Sequence, residues 1–419
     1  MKIKSVVVLL LLCAGSVNAN LADVKLSAAL LDGCEFTDVS FKADFETARL
    51  HACEALEDGS YLLSTDAENR PINPSPWYAF TVNPNKTQVG KQVARQVAKQ
   101  VTITIAAIKA KARYLPKMQM PNGSWKSLDF EVTQAGMKFS VELSDTPLKI
   151  AGQPIINNSD YDNWTIDFAN TGSFEKIEIG KSTQGRPIHA LVTQKANNHE
   201  WLVLIGRQHP PELTGAMAML TFASSINNSP QNNNELLNDF YNRFNVLIVP
   251  NVNPDGVAIG NWRHNTKGAD LNRDWGKFEQ LETTVVNAYM ESLLLPKLNQ
   301  QPKLVFALDF HSTQQDIFYT MPNDYSVAPA NFADNWLKQV KANTVSSFVV
   351  RNRPGTSPGR GVFKQFIADT YNVHAVTYEM GDNTPKALID HVAQASADEL
   401  VKLMLATPAA DFNYKKPKE

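Results

Sequence analysis

His209 and Glu212 stand three residues apart in Gly206-Arg207-Gln208-His209-Pro210-Pro211-Glu212, directly after the apolar run Trp201 to Ile205 and before Leu213 to Leu220. The pattern predicts strand, tight turn and helix, with the two prolines at the first helical positions, where no amide donor is required. A turn of that kind leaves His209 and Glu212 facing a common point, where they can share a metal ion. Zinc accepts imidazole nitrogen and carboxylate oxygen at similar distances, and a catalytic zinc has three protein ligands with a fourth position open. The pair is therefore one ligand short, and alone it is a weak motif that reads as a capped helix start.

Three further polar clusters follow apolar runs. The first runs from Asn251-Val252-Asn253-Pro254-Asp255-Gly256 through Asn261-Trp262-Arg263-His264-Asn265 to Gly268-Ala269-Asp270-Leu271-Asn272-Arg273-Asp274-Trp275. Connections of such length are functional or disordered, and the aromatic residues argue against disorder. The second, His311-Ser312-Thr313, ends the run Leu304 to Phe310, and the third, Glu379-Met380-Gly381-Asp382, ends Ala375 to Tyr378. Singly, His311 reads as a hydrogen-bonded structural histidine, Glu379 as a capping or surface carboxylate and Arg273 as a surface ion pair. Their joint arrangement makes those readings poor.

The elements that must position these groups follow one grammar after Trp164. Apolar runs at Ile188–Val192, Trp201–Ile205, Phe244–Val249, Leu304–Leu308 and Ala375–Tyr378 alternate with helical patterns at Leu213–Ile226, Glu279–Leu295, Ala330–Ser346 and Val392–Leu405. They predict an α/β domain over residues 160–410, with a mixed, mostly parallel sheet covered by helices on both faces. Ligands bind such sheets beyond the carboxyl ends of the strands, where the polar clusters fall. Before the Gly/Pro/Asn-rich stretch at Gly152–Asn158, Trp77–Val82, Val101–Ile105 and Phe139–Leu143 alternate, with turn signals at Pro121-Asn122-Gly123 and Gln134-Ala135-Gly136. Residues 20–155 are thus expected to form a small antiparallel β-sandwich. Lys91, Arg95, Lys99, Lys109, Lys111 and Arg113 alternate with apolar residues and predict a solvated sheet face.

The first 19 residues read as a secretory signal peptide: basic Lys2 and Lys4, an apolar stretch from Val6 to Ala14, and small residues before Asn20. No stretch approaches the roughly 20 apolar residues of a membrane span. The protein is expected to be periplasmic or secreted. Cys13 follows Leu12, which does not suit a lipoprotein processing site, and Cys34 and Cys53 favour a disulfide. Loss of Lys2 and Lys4 leaves 38 basic against 42 acidic residues, so no charge argument supports nucleic acid or an anionic membrane as partner.

His-x-x-Glu, Asn-Pro-Asp-Gly, an arginine before Asp-Leu-Asn-Arg, Phe-His-Ser and a strand-end glutamate, in that order from Trp201 to Gly381, resemble the zinc carboxypeptidase family of carboxypeptidase A. Asn73-Pro74-Ser75-Pro76-Trp77-Tyr78, within the sandwich leader, is similar to the cytosolic carboxypeptidase branch, which includes deglutamylases. The resemblance implies one zinc ion per chain, held by His209, Glu212 and His311, with Glu379 activating the attacking water. It further implies that Arg263 stabilises the developing oxyanion and that Asn272 and Arg273 clamp the terminal carboxylate of a peptide or peptide-like substrate. Where the family has Pro-Gly this chain has Pro210-Pro211, and where the family has a mobile tyrosine it has Thr356-Ser357-Pro358-Gly359-Arg360-Gly361. Arg360 and Lys364 are candidates for binding an acidic side chain, against a reading as surface charges on a helix from Gly361 to Thr370. Rival readings are an amidohydrolase resembling aspartoacylase and succinylglutamate desuccinylase, a cell-wall peptidase acting next to diaminopimelate, and a zinc-free binding protein.

Overall fold

A computed structural model describes residues 32–85, 99–143, 145–195, 198–227, 234–296 and 301–413. The leader at 1–19, with Cys13, and the cations Lys91 and Arg95 lie outside these residues, as does the Lys99 side chain.

Eleven strands come first: β1 (Gly33–Glu35), β2 (Val39–Lys42), β3 (Ala52–Ala55), β4 (Tyr61–Thr65), β5 (Ala79–Pro84), β6 (Lys99–Ala107), β7 (Lys117–Gln119), β8 (Trp125–Ser127), β9 (Phe130–Val132), β10 (Met137–Leu143) and β11 (Leu148–Ala151). They make a six-stranded sheet, β1-β2-β5-β11-β7-β8, and a five-stranded sheet, β3-β4-β6-β10-β9. Alternation decides which side chains enter the core. In β10, Met137, Phe139, Val141 and Leu143 are buried, and they pack with Phe41, Leu63, Phe80 and Ile103. All pairings are antiparallel except β4 with β6, which run parallel. Cys34 in β1 and Cys53 in β3 form a disulfide between the sheets.

After α1 (Asn158–Thr171) come β12 (Glu175–Lys181), β13 (Pro187–Val192), β14 (Glu200–Gly206), α2 (Leu213–Ile226), α3 (Glu235–Arg243), β15 (Phe244–Val249) and α4 (Pro254–Ala258). They are followed by α5 (Leu281–Leu294), β16 (Lys303–Thr313), β17 (Ile317–Tyr319), α6 (Phe332–Asn343), α7 (Phe363–Tyr371), β18 (Ala375–Gly381) and α8 (Lys386–Ala406). The seven strands form one mixed sheet, β12-β13-β15-β14-β16-β18-β17. The four central strands β15, β14, β16 and β18 are mutually parallel, and antiparallel pairings flank them.

Both faces of this sheet are covered, so each central strand carries a largely apolar run, with polar residues concentrated towards the ends. Leu202, Leu204, Val246 and Leu308 pack with α2, α3, α6 and α8 on one face. Val203, Ile205, Leu247 and Ala307 pack with α5 and α7 on the other. Helix α2 starts at Leu213, two residues after Pro211, because Glu212 holds a non-helical cap conformation (φ −82°, ψ 66°). The prolines therefore belong to the turn and not to the first turn of the helix.

A third apolar cluster joins the two regions of the chain. Trp77 and Tyr114, from connections between strands of the N-terminal region, pack with Leu213 at the start of α2 and with Trp262. The Trp262 indole donates to the Trp77 carbonyl and to Thr65 Oγ1, both at 3.1 Å.

Candidate active site

Parallel pairing of β16 with β18 sets His311 directly beside Glu379. Glu212 reaches the same point from the cap of α2 because that helix lies against β16. Gly215 makes the approach possible: a Cβ there would sit 2.1 Å from the His311 carbonyl oxygen. Gly215 N–H and Thr214 Oγ1 both donate to Ser312 Oγ at 2.8 Å, which fixes the helix on the strand.

Two buried imidazoles turn Nδ1 towards the Glu212 carboxylate, His209 at 2.9 Å from Oε1 and His311 at 2.7 Å from Oε2. Their ligand atoms and that of Glu212 lie within 4.8 Å of one another. Each Nε2 in turn meets a second carboxylate: Asp270 Oδ1 at 2.9 Å from His209 and Asp309 Oδ2 at 2.8 Å from His311. A histidine that binds a metal commonly spends its other ring nitrogen in this way, which fixes the tautomer and raises ligand basicity. Burial alone would raise the Glu212 carboxyl, but the charges of His209 and His311 hold it well below the usual carboxylate range. The donor set thus fits a divalent cation of zinc's preferences.

Glu379 is treated differently by its surroundings. Its Oε2 is buried without a hydrogen-bond partner among the described residues. Burial and the charge of Glu212 push its carboxyl up to about 7. A buried carboxylate of raised pKa beside a metal-competent group is suited to moving a proton.

The Arg263 guanidinium is buried, with Nε donating to Asp270 Oδ2 at 2.8 Å and Nη1 3.7 Å from Glu212. Asn272 is engaged on both sides: its Oδ1 accepts from Phe363 N at 2.9 Å, and its Nδ2 faces His311 Nε2 at 3.1 Å. Arg273 is half-buried and lines the cleft, with Nη1 donating to the Asn272 carbonyl. Arg360 is exposed on the cleft wall ahead of α7, and Lys364 is buried in the first turn of that helix. The Lys364 ammonium donates to the carbonyls of Thr320 and Gly355, and burial brings its pKa down to about 8. No carboxylate pairs with it among the described residues.

Several residues of this site are not among the candidates that the sequence motifs single out. Arg113 is a correction to the solvated face expected of the basic run: Lys109 and Lys111 are exposed, but Arg113 turns inward. It forms a two-pronged ion pair with Asp382, donates to Ser75 Oγ and the Ser312 carbonyl, and lines the cleft with Asn73. Its partners are as far as 269 positions away, so nothing local could betray it. Tyr319 and Arg353 also line the cleft, and the run Arg351-Asn352-Arg353 was a usable cue for the second. Asn253 and Asp255 serve the scaffold: Asn253 caps α4, while Asp255 accepts from Ser182, Gln184 N and Arg186.

The cleft holds about 570 Å³. A separate hollow of about 430 Å³, beside α1, contains none of the residues described above as the site. Converging imidazole and carboxylate donors at the carboxyl ends of the central strands of a covered α/β sheet are the arrangement of a metallohydrolase. The sequence profile of the zinc carboxypeptidase family matches residues 161–398, more than half of the chain, and the chain belongs to that family. Its metal is zinc.

Cytosolic carboxypeptidase 2 of Homo sapiens is 32% identical over 128 residues, which are 30% of this chain and 13% of that protein. Carboxypeptidase E of Caenorhabditis elegans is 26% identical over 209 residues, 40% of this chain and 44% of that one. The match therefore spans less than half the length of these curated relatives. Metallo-carboxypeptidases from Pseudomonas aeruginosa and Burkholderia cenocepacia superpose with a TM-score of 0.68 each, at 20% and 14% identity. Both superpositions cover 87% of this chain and nearly all of the other, and at such identity the likeness is one of fold.

Proposed function

We propose that this protein is an exported zinc carboxypeptidase that removes the C-terminal residue of peptides, or cleaves an equivalent amide, and prefers an acidic residue there. The observation that carries the substrate reading is the charge of the cleft. Arg113, Arg263, Arg273, Arg353, Arg360 and Lys364 line it, against only Glu212 and Glu379 as carboxylates. Glu212 belongs to the metal group, Arg113 is paired with Asp382 and Arg263 with Asp270, which leaves Arg273, Arg353, Arg360 and Lys364, the last without a carboxylate partner among the described residues, to supply the positive charge that supports an acidic substrate. Export rests on the leader pattern together with the Cys34–Cys53 disulfide, which suits an oxidising compartment. No helix of the described residues is long and apolar enough to cross a membrane. Division into a sandwich domain at 20–155 and a catalytic domain at 160–410 belongs to the same proposal.

In this reading His209, Glu212 and His311 hold zinc, which when bound supplies Lewis-acid polarisation of water and of the scissile carbonyl. Glu379 takes a proton from the attacking water on its unpartnered oxygen and passes it to the leaving amine. Arg263 donates to the oxygen on which negative charge develops. Arg273 receives the terminal carboxylate in a two-pronged contact that lysine could not reproduce. Asn272, already bonded to Phe363 N, supports that wall and shares in the clamp only if its amide nitrogen turns from His311. The amidohydrolase and cell-wall readings differ in the group beyond the scissile bond, and digestion of a peptide library separates them.

Arg273→Ala should raise KM for free-carboxylate peptides about 10- to 100-fold, since a hydrogen bond to a charged group contributes about 1.5–3 kcal/mol. Amidating the peptide's C-terminus should cost the wild type a similar factor and cost the variant nothing more. Equal cleavage of capped and free peptides would mark an endopeptidase.

The acidic preference is checked by comparing kcat/KM for peptides ending in Glu, Lys and Phe. The wild type should favour Glu. Arg360→Ala should erode that preference a few-fold, because an exposed ion pair is worth about 0.2–1 kcal/mol. Lys364→Ala should erode it further, since a buried cation interacts more strongly. A wild-type preference for Phe or Lys, or an acidic preference untouched by both substitutions, removes the two residues from the specificity site.

A further inference from the structure

We infer that Glu68, contributed by the segment after β4, is a positioning residue for Arg263. The inference rests on the reading of Arg263 as the donor to the developing oxyanion. Arg263 lies on the long connection after α4, with no strand or helix of its own to orient it. Something else must fix its backbone.

Three successive backbone N–H groups of that connection point at one carboxylate. Glu68 Oε2 accepts from Trp262 N at 2.8 Å, and Oε1 accepts from Arg263 N at 2.9 Å and His264 N at 2.6 Å. Consecutive amides arranged in this way form an anion-binding concavity, and here a side chain about 195 positions away fills it. The Glu68 side chain is only 10% exposed, and the Arg49 guanidinium lies 4.0 Å away. Arg49 itself donates to the Gly260 carbonyl and to Asn261 Oδ1, so it braces the same loop.

The contacts around Glu68 leave little freedom. Asn69 Oδ1 meets His264 Nδ1 at 2.6 Å, and Asn69 Nδ2 donates to the Gly268 carbonyl at 2.9 Å. Gly260 adopts φ +64° against the N-terminal chain, and a Cβ there would lie 2.6 Å from the Thr47 carbonyl oxygen. Arg263 is consequently held at two ends. Asp270 fixes its guanidinium, and Glu68 fixes its backbone amide and those on either side. Without Glu68 three buried amides lose their acceptor, and the loop can relax by the ångström or so that costs about 10²-fold in a positioned reaction.

The test uses the full-length zinc-loaded enzyme and the best-cleaved peptide of the Glu, Lys and Phe set. Glu68→Ala should lower kcat about 10- to 100-fold, with KM within about threefold of wild type and zinc content unchanged. Glu68→Gln, which keeps one acceptor oxygen, should fall between the two. It carries the test alone should Glu68→Ala not fold by circular dichroism. In an Arg263→Ala background, removing Glu68 should cost less than about twofold more, because the group it positions is gone. Undiminished kcat in the Glu68 variants, or the same fold-loss with and without Arg263, overturns the inference. If Arg263→Ala itself leaves kcat unchanged, the reading of Arg263 fails and the role of Glu68 goes with it.

Discussion

Glu379→Gln keeps a full complement of zinc and loses about 10²–10⁴-fold in kcat, the range ascribed to a positioned acid–base group. The amide has nearly the shape of the carboxylate and leaves His209, Glu212 and His311 intact, so metal content and turnover should part company. The pH profile supplies a second signature. A base works when deprotonated, so kcat/KM should be present above its pKa and lost as pH falls through it. Burial and Glu212 push Glu379 up to about 7, and a divalent charge next to it would favour the ionised form. The acid limb of the holoenzyme should therefore lie below pH 7 and vanish in Glu379→Gln. A variant with more than about a tenth of wild-type turnover would sink the assignment.

His209→Ala and His311→Ala should each purify with little zinc and no measurable turnover, since a three-donor group reduced to two no longer closes a zinc site. Asp309→Ala should sit between these and the wild type. Its Oδ2 bonds His311 Nε2 at 2.8 Å and also accepts from Gln208, so its loss frees the ring without removing a donor. Disrupting such a partner costs about 10- to 100-fold in metal affinity. Zinc measured against a competing chelator ranks the variants, and full zinc retention by His311→Ala would remove it from the ligand set.

Much of this was legible because the chain's grammar is local. Apolar runs mark five of the seven strands of the catalytic region, missing only β12 and the short β17, and the helical pattern at Leu213–Ile226 is the span that α2 occupies. Family motifs brought His209, Glu212, His311, Glu379, Arg263, Asn272 and Arg273 to attention, and all of them line one cleft. Boundaries slipped where polarity hid continuing structure. Strand β16 runs on through His311 to Thr313 because its ladder with β18 persists after the apolar run ends. Helix α8 begins at Lys386, six residues before the pattern suggested, since its first turn is largely exposed. The parallel pairing of β4 with β6 left no mark, because alternation does not depend on strand direction. Glu68 and Arg113 were beyond reach for another reason: their roles depend on partners roughly 190 to 270 positions away.

The neighbouring positions of His311 and Glu379 on two paired strands have a bearing on how such an enzyme can diversify. Strands buried on both faces tolerate few substitutions, so a lineage inherits the distance between those two side chains almost unaltered. The wall bearing Arg353 and Arg360 belongs to a connection instead, and selection can rewrite it without disturbing the sheet. Drift towards new substrates would therefore begin in that wall while the chemistry stays put.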